Sequence, residues 1–318
     1  MTILNYGQEV VFPKLTDEER EKKTLIPQGK VNVVIDSDTK NEVDDQFAII
    51  HALLTPSFDL RGLIAAHFGE EKSEHSMLDS RAEIERLLEM MRLPKAVRVE
   101  NGAPHALKDE YTPVPSEGAK RIISEALSGD PRPLYIAFLG PLTDMASALL
   151  MEPSIAERNV TVIWIGGRDW PQGGWEYNLK NDVHAANVVL ASNIRLWQVP
   201  RNVYRMMPVS FAELQARVYP QGALGRYLAQ NVWDFNNAWA NRPTEFRILG
   251  DSPAIGLMLF DDCGAYDMQP APQLNADLTY RHTGEYRPIR VYKTIDARFI
   301  LEDFYAKLHQ AYEDGVTL

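Results

Sequence analysis

The chain reads as an α/β protein: one open, mainly parallel twisted sheet with helices on both faces and extra helices toward the C-terminus. Three observations require this. Apolar, largely β-branched runs recur at VNVVID (31–36), LRGLIAAHF (60–68), LYIAFLG (134–140) and VTVIWIG (160–166), as strands buried on both faces demand. Segments with helical spacing fill the intervals. No Pro/Gly/Ser-rich linker, low-complexity tract or internal repeat interrupts residues 1–318, so a single domain with an N-terminal arm over 1–30 is expected.

Taken in order, TDEER places Thr16 and Glu19 at capping-box spacing and predicts a short helix in the arm. VNVVID is the first central strand, and VDDQFAIIHALL (43–54) predicts a helix that Pro56 ends. LRGLIAAHF is the second strand, followed by an amphipathic helix over 76–91 and another in KRIISEAL (120–127). The next two strands lead into helices in LTDMASALL and DVHAANVVLAS, and IRLWQVP is a further strand. From Ser210 the pattern turns helical, with a capping box in SFAE (Ser210, Glu213) and the aromatic-rich YLAQNVWDFNNAWANRP (227–243). A late strand in RPIRVYKTID (287–296) precedes a closing helix in RFILEDFYAKLHQAY.

Composition narrows the function. With 318 residues, 45% hydrophobic and 24% charged, the chain can bury a large core. Its 33 basic against 44 acidic residues give a formal charge of −11, which repels a phosphate backbone. The lone Cys263 permits neither an internal disulfide nor a thiolate metal cage and fits a reducing compartment. No run of 18 apolar residues occurs, and MTILNYGQEVVFPKLTDEEREKK lacks the order of a signal peptide. A cytoplasmic protein with neither membrane nor nucleic-acid partners is expected, which leaves the Asn159-Val160-Thr161 sequon without a role.

The chemistry concentrates after the first strand. DSDTKNEVDD puts Asp36, Asp38, Glu42, Asp44 and Asp45 together with only Lys40 opposing them. Crowded carboxylates repel, so either some stay protonated or a cation joins them, and an all-oxygen set selects Ca2+ or Mg2+. Alternatively, Asp44 and Asp45 merely complement the positive end of the helix they open. The loop falls beyond the carboxyl end of a central strand, where ligands of open parallel sheets bind, and this favours a site.

An apolar strand, Asp-x-Asp, a short loop and Asp-Asp opening a helix resemble the signature of the nucleoside hydrolase family, here with two residues inserted between Asp38 and Asp44. Further matches lie in chain order. FLGPLTDMASAL (138–149) resembles the family's strand and Gly-Pro-Leu-Thr turn, VTVIWIGG leading to WEYNLKNDVHAA resembles its Gly-Gly and Glu-x-Asn segment, and LGDSPAIGLML (249–259) resembles its late helix. The likeness covers about residues 31–260, with a family-like final strand and helix beyond. A haloacid-dehalogenase-type, Mg2+-dependent phosphatase with Asp36 as nucleophile fits less well. Thr39 and Lys40 follow the second aspartate, and that family leaves Asp44 and Asp45 unexplained.

The resemblance implies a Rossmann-like core and hydrolysis of the N-glycosidic bond of a ribonucleoside or related N-riboside by a Ca2+-activated water. It implies Asp38, Asp45, the Leu139 carbonyl and Asp251 as metal ligands, with Asp38 also the general base. Asp44, Glu176 and Asn178 would hold ribose hydroxyls, and Asp36 would stand behind the cluster. The small-molecule substrate and a homo-oligomer, dimer or tetramer, follow by the same likeness. Two departures touch the leaving-base end: Gly250 replaces a histidine that several relatives carry, and Glu70, near His67, replaces an asparagine. A ribose- or nucleoside-binding homologue with weakened catalysis is therefore the alternative. Trp233, Trp239, Asn236 and Asn237 could face a nucleobase, although aromatic residues at helical spacing are more often core. His51, His75, His105, His184, His282 and His309 lack ligand spacing.

Overall fold

The computed structural model describes residues 2–5, 8–11, 29–93, 97–239, 244–260 and 262–317. The helix expected at Thr16–Glu19 lies outside them. Residues 1–30 form one unit, in which β1 (Thr2–Asn5) and β2 (Gln8–Val11) pair as an antiparallel hairpin. Val31–Leu318 forms the other.

In this larger unit the chain lays down β3 (Val31–Ser37), β4 (Phe58–Ala65), β5 (Val99–Asn101), β6 (Leu134–Phe138), β7 (Val160–Ile165) and β8 (Arg195–Val199). Two short strands, β9 (Pro208–Ser210) and β10 (Phe246–Ile248), pair antiparallel away from the main sheet. The sheet is completed at one edge by β11 (Tyr266–Pro270) and β14 (Pro288–Tyr292), while β12 (Gln273–Leu274) and β13 (Tyr280–Arg281) form a separate small ribbon. The eight-stranded order is β11-β14-β8-β7-β6-β3-β4-β5, and only β11 runs antiparallel to its neighbour. The expected mainly parallel α/β sheet is therefore present.

The buried strands alternate between two cores. Val33 and Ile35 of β3, Ala137 of β6 and Ile163 and Ile165 of β7 enter one; Val34, Ile136, Phe138, Val162 and Trp164 enter the other. Period-two side-chain direction is the reason. The first core is roofed by helices Asp45–Leu53, Ser76–Met90, Ser252–Leu259 and Ala297–Glu313, through residues such as Phe47, Leu87, Ile255 and Phe304. The second is roofed by Glu117–Ala126, Thr143–Met151 and Val183–Ala191, through Ile122, Met145 and Val189. Several helix starts follow their sequence signals. Ser116 and Asp182 accept hydrogen bonds from Ala119 and Ala185, and the Ser210–Glu213 capping box is complete.

This topology fixes where a ligand goes. From β3 the chain builds outward to β4 and β5, then returns to β6 on the other side. The loops after β3 and β6 diverge and leave a crevice at the switch point. At its wall, Trp164 Nε1 donates to the Gly140 carbonyl at 3.2 Å. A Cβ placed on Gly166 would fall inside that indole ring, so the strand exit needs glycine.

Candidate active site

A cavity of about 70 Å3 lies in this crevice. Its lining includes Asp38, Asp44, Asp45, Leu139, Glu176, Asn178 and Asp251, so every residue singled out for the site is brought to one place. Four segments deliver them. Asp38 follows β3, and Asp44 is the N-cap of helix Asp45–Leu53. Leu139 follows β6 and is tied to β3 by its N–H, which donates to the Asp36 carbonyl at 2.9 Å. Glu176 is the N-cap of helix Tyr177–Asn181, and Asp251 that of helix Ser252–Leu259.

The aspartates are buried and close. Carboxylate oxygens of Asp44, Asp45 and Asp251 lie within 4.8 Å of one another. Asp38, whose Oδ2 accepts from Asn41 Nδ2 at 3.2 Å, completes the wall. A Cβ at Gly140 would stand 3.0 Å from Asp38 Cγ, so the turn after β6 must present bare backbone here. Ser37 Oγ donates to Asp45 Oδ1 at 2.6 Å, and the Gly250 N–H donates to Asp44 Oδ2 at 2.8 Å.

Charge is the unresolved quantity in this arrangement. Burial, followed by Asp45, Asp44 and Glu42, holds Asp38 well above the ordinary carboxylate range. Burial, followed by Asp44, Asp45 and Asp38, does the same to Asp251. Asp44 is pushed up to about 8 by burial, Glu42 and Asp45, against the pull of Arg247 and the Gly250 N–H. Asp45 rises to about 6 through burial, restrained by Ser37 and by a hydrogen bond shared with Asp251. Among the described residues lining the cavity there is no lysine or arginine. These carboxyls can all ionise only if a cation joins them, and a donor set made wholly of oxygen suits a hard divalent ion. The residues fit such a metal.

The sugar-side candidates are held by the backbone. Glu176 Oε2 accepts from Gly167 N at 2.9 Å and Leu179 N at 3.0 Å, and Oε1 accepts from the Tyr204 hydroxyl at 3.0 Å. Asn178 Nδ2 donates to the Leu139 and Ile165 carbonyls at 2.7 and 2.8 Å. Both amide protons are thereby used, which leaves Oδ1 as the group it can offer a sugar hydroxyl.

Behind the cavity, Asp36 is fully buried, and burial followed by the neighbouring Asp144 holds its carboxyl well above the ordinary range; Asp144 is itself held by the Ala103 N–H at 3.1 Å and the Ser116 hydroxyl. His67 accepts from Gly69 N at Nδ1, so Nε2 carries the proton and donates to Thr143 Oγ1 at 2.8 Å. Thr143 in turn donates to Asp182, and burial pushes the His67 imidazole down to about 4.

Other positions fall elsewhere. Glu70 is exposed and does not line the cavity. Trp233 packs on Tyr219 at 5.6 Å between ring centroids, in the core, and Asn237 is exposed. Asn236 lines a neighbouring cavity, while the Trp239 side chain lies outside the described residues. Asn41, Tyr177 and Tyr204 line the site without having been singled out. Tyr177 stood inside the quoted WEYN segment. Tyr204 carried no such signal, because it belongs to a four-residue helix, Arg201–Tyr204, after β8.

Comparison with known proteins agrees with this architecture. The profile of the inosine-uridine preferring nucleoside hydrolases matches residues 33–295. Uridine nucleosidase 1 of Arabidopsis thaliana is 27% identical over 203 residues, covering 56% of this chain and 59% of the relative. Probable uridine nucleosidase 2 of Oryza sativa subsp. japonica is 25% identical over 201 residues, covering 56% and 58%. The chain thus spans less than two thirds of the length of the curated relatives it matches. Among solved structures, a plant nucleoside hydrolase superposes with TM-score 0.72 at 18% identity, over 88% of this chain and 99% of that one. The purine-preferring ribonucleoside hydrolase of Gardnerella vaginalis superposes with TM-score 0.73 at 17% identity, over 89% and 99%. These likenesses establish the fold, and the profile match across most of the sequence shows that the chain belongs to the inosine-uridine preferring nucleoside hydrolase family.

Proposed function

We propose that the protein hydrolyses the N-glycosidic bond of a ribonucleoside or related N-riboside, with Ca2+ held by Asp38, Asp45, Asp251 and the Leu139 carbonyl. The observation that carries this is the convergence of Asp38, Asp44, Asp45 and Asp251 in one buried cavity without a basic residue among the described ones lining it. Asp44, whose carboxylate groups with those of Asp45 and Asp251 within 4.8 Å, competes with Asp38 for a place in that shell. When bound, the ion supplies Lewis-acid activation of water.

The chain's own groups supply the remainder. Asp38 Oδ2 is engaged by Asn41, which leaves Oδ1 to take a proton from the attacking water. Asp44, Glu176 and Asn178 orient ribose hydroxyls, so the anomeric carbon is presented to the water as oxocarbenium character develops. Gly250 offers no side chain to protonate the leaving base. A Cβ there would meet Tyr204 Cδ2 at 3.1 Å and Asp44 Oδ2 at 3.2 Å, so this corner is already filled. That observation favours a second reading, a riboside-binding homologue with weak turnover.

No helix of the described residues is long and apolar enough to cross a membrane, and we place the protein in the cytoplasm as a homo-oligomer with residues 1–30 as an arm. The purified full-length chain, incubated with Ca2+ and a panel of nucleosides, should release free ribose. EDTA and Asp38→Ala should each abolish release. Tight binding without turnover selects the second reading, and absence of both binding and release refutes the proposal.

A further inference from the structure

A second cavity, of about 390 Å3, opens beside the aspartates and shares Glu42, Asp44, Tyr177, Tyr204 and Gly250 with the first. Its outer wall has the opposite electrical character, with Arg201, Arg205 and Arg247 facing Trp175, which is 53% exposed.

The ion pairs distinguish these arginines. Arg247 is neutralised by Glu42 and lies with its guanidinium carbon 4.6 Å from the Phe235 ring centroid. The side chains of Arg201 and Arg205 have no hydrogen-bond or ion-pair partner among the described residues. Several other arginines are matched with acids, among them Arg61 with Glu125, Arg121 with Glu100, Arg132 with Asp130 and Arg217 with Glu302. What sets Arg201 and Arg205 apart is their place: two neighbouring cations without an ion-pair partner among the described residues line one cavity beside the aspartates. They stand four residues apart on one short helical turn, where like charges repel. An anion bridging them would relieve that repulsion.

We propose that this wall binds an anionic group carried by the riboside itself, so that the substrate is a negatively charged N-riboside; this deepens the function proposed above and rests on it. The sugar occupies the aspartate floor, and the anion extends into the adjoining cavity toward Arg201 and Arg205. Paired guanidiniums match the geometry of a carboxylate or phosphate, and the adjoining indole of Trp175 offers a flat apolar face to a planar heterocycle. The anion has two chemical sources: a carboxylate on the heterocycle, or a phosphate on the ribose 5′-oxygen.

Equilibrium binding tests this independently of turnover. The full-length protein with Ca2+ is titrated, by calorimetry or tryptophan fluorescence, with uridine, orotidine and uridine 5′-monophosphate. At least one anionic ligand should bind about tenfold more tightly than uridine at low salt, with the advantage shrinking as salt rises. In the R201Q/R205Q double variant, shown to be folded by its unchanged melting temperature, the affinity ratio should fall toward one, and R201K/R205K should retain part of it. A preference for orotidine assigns the carboxylate, and one for the nucleotide assigns the phosphate. Uridine binding as tightly as both anions, or a preference surviving in R201Q/R205Q, overturns this inference alone. Failure of all three ligands to bind overturns the proposed function with it.

Discussion

Removing divalent ions exposes the cost of the aspartate cluster, and that cost depends on pH in a direction the structure fixes. Asp44 is pushed up to about 8, mainly by burial and by Glu42 and Asp45. In the unfolded chain an aspartate titrates near ~3.9. Between those values the folded protein keeps a proton the unfolded chain has released, so stability falls as pH rises and levels off above the folded value. Asp36, Asp38 and Asp251, also raised, act in the same sense. The buried imidazoles of His51 and His67 oppose it at lower pH, because the unfolded histidines hold protons the folded ones lack. Above about pH 6.5 that opposition is spent. From there to about pH 8, Asp44 alone removes about 2 kcal/mol. This is a large share of a total stability of about 5 to 15 kcal/mol. Under the proposed function Ca2+ would bind the ionised folded form, and its stabilising effect should grow over the same interval. Urea denaturation midpoints across this range, in EDTA and in excess CaCl2, measure both quantities, and Asp44→Asn should flatten the metal-free profile. A metal-free stability that is constant or rises over that interval, or a Ca2+ increment independent of pH, refutes the reasoning.

Other perturbations have equally definite outcomes. Asn178→Leu strips the buried Leu139 and Ile165 carbonyls of their donors and should cost about 2 to 4 kcal/mol in chemical denaturation while weakening Ca2+ binding in calorimetry. Ile163→Ala, at a fully buried position in the centre of the sheet, should cost about 2 to 5 kcal/mol in the same denaturation assay. Arg217→Gln breaks an exposed two-bond pair with Glu302 and should change stability by less than about 1 kcal/mol, so a larger loss would show that surface charge matters more here than geometry implies.

The central strands were legible because burial on both faces demands an uninterrupted apolar run; β3, β6 and β7 fall within a residue or two of where VNVVID, LYIAFLG and VTVIWIG place them. The edge strand β11, YDMQP, was not, because its side chains are mostly exposed and carry no alternation. β5, β9, β10, β12 and β13 escaped for a related reason: two or three residues are too few to show a period. At the site, Asp38, Asp44 and Asp45 advertise themselves by crowding, whereas Leu139 contributes backbone and could be named only through the family motif. Tyr204 and the arginines beside it reach the cavity from a short turn after β8, and such proximity is created by the fold rather than by spacing along the chain.

Trp164 and Gly166 constrain the order in which this corner of the molecule can change. A side chain at 166 would occupy the space of the indole, and the indole is what bonds to the Gly140 carbonyl. A mutational route from glycine to any larger residue therefore has to begin at 164, with a smaller ring that gives up that bond. The reverse order passes through a protein whose strand exit cannot close. The freedom of position 166 thus depends on what stands at 164, and a library randomising 166 alone should recover almost nothing but glycine.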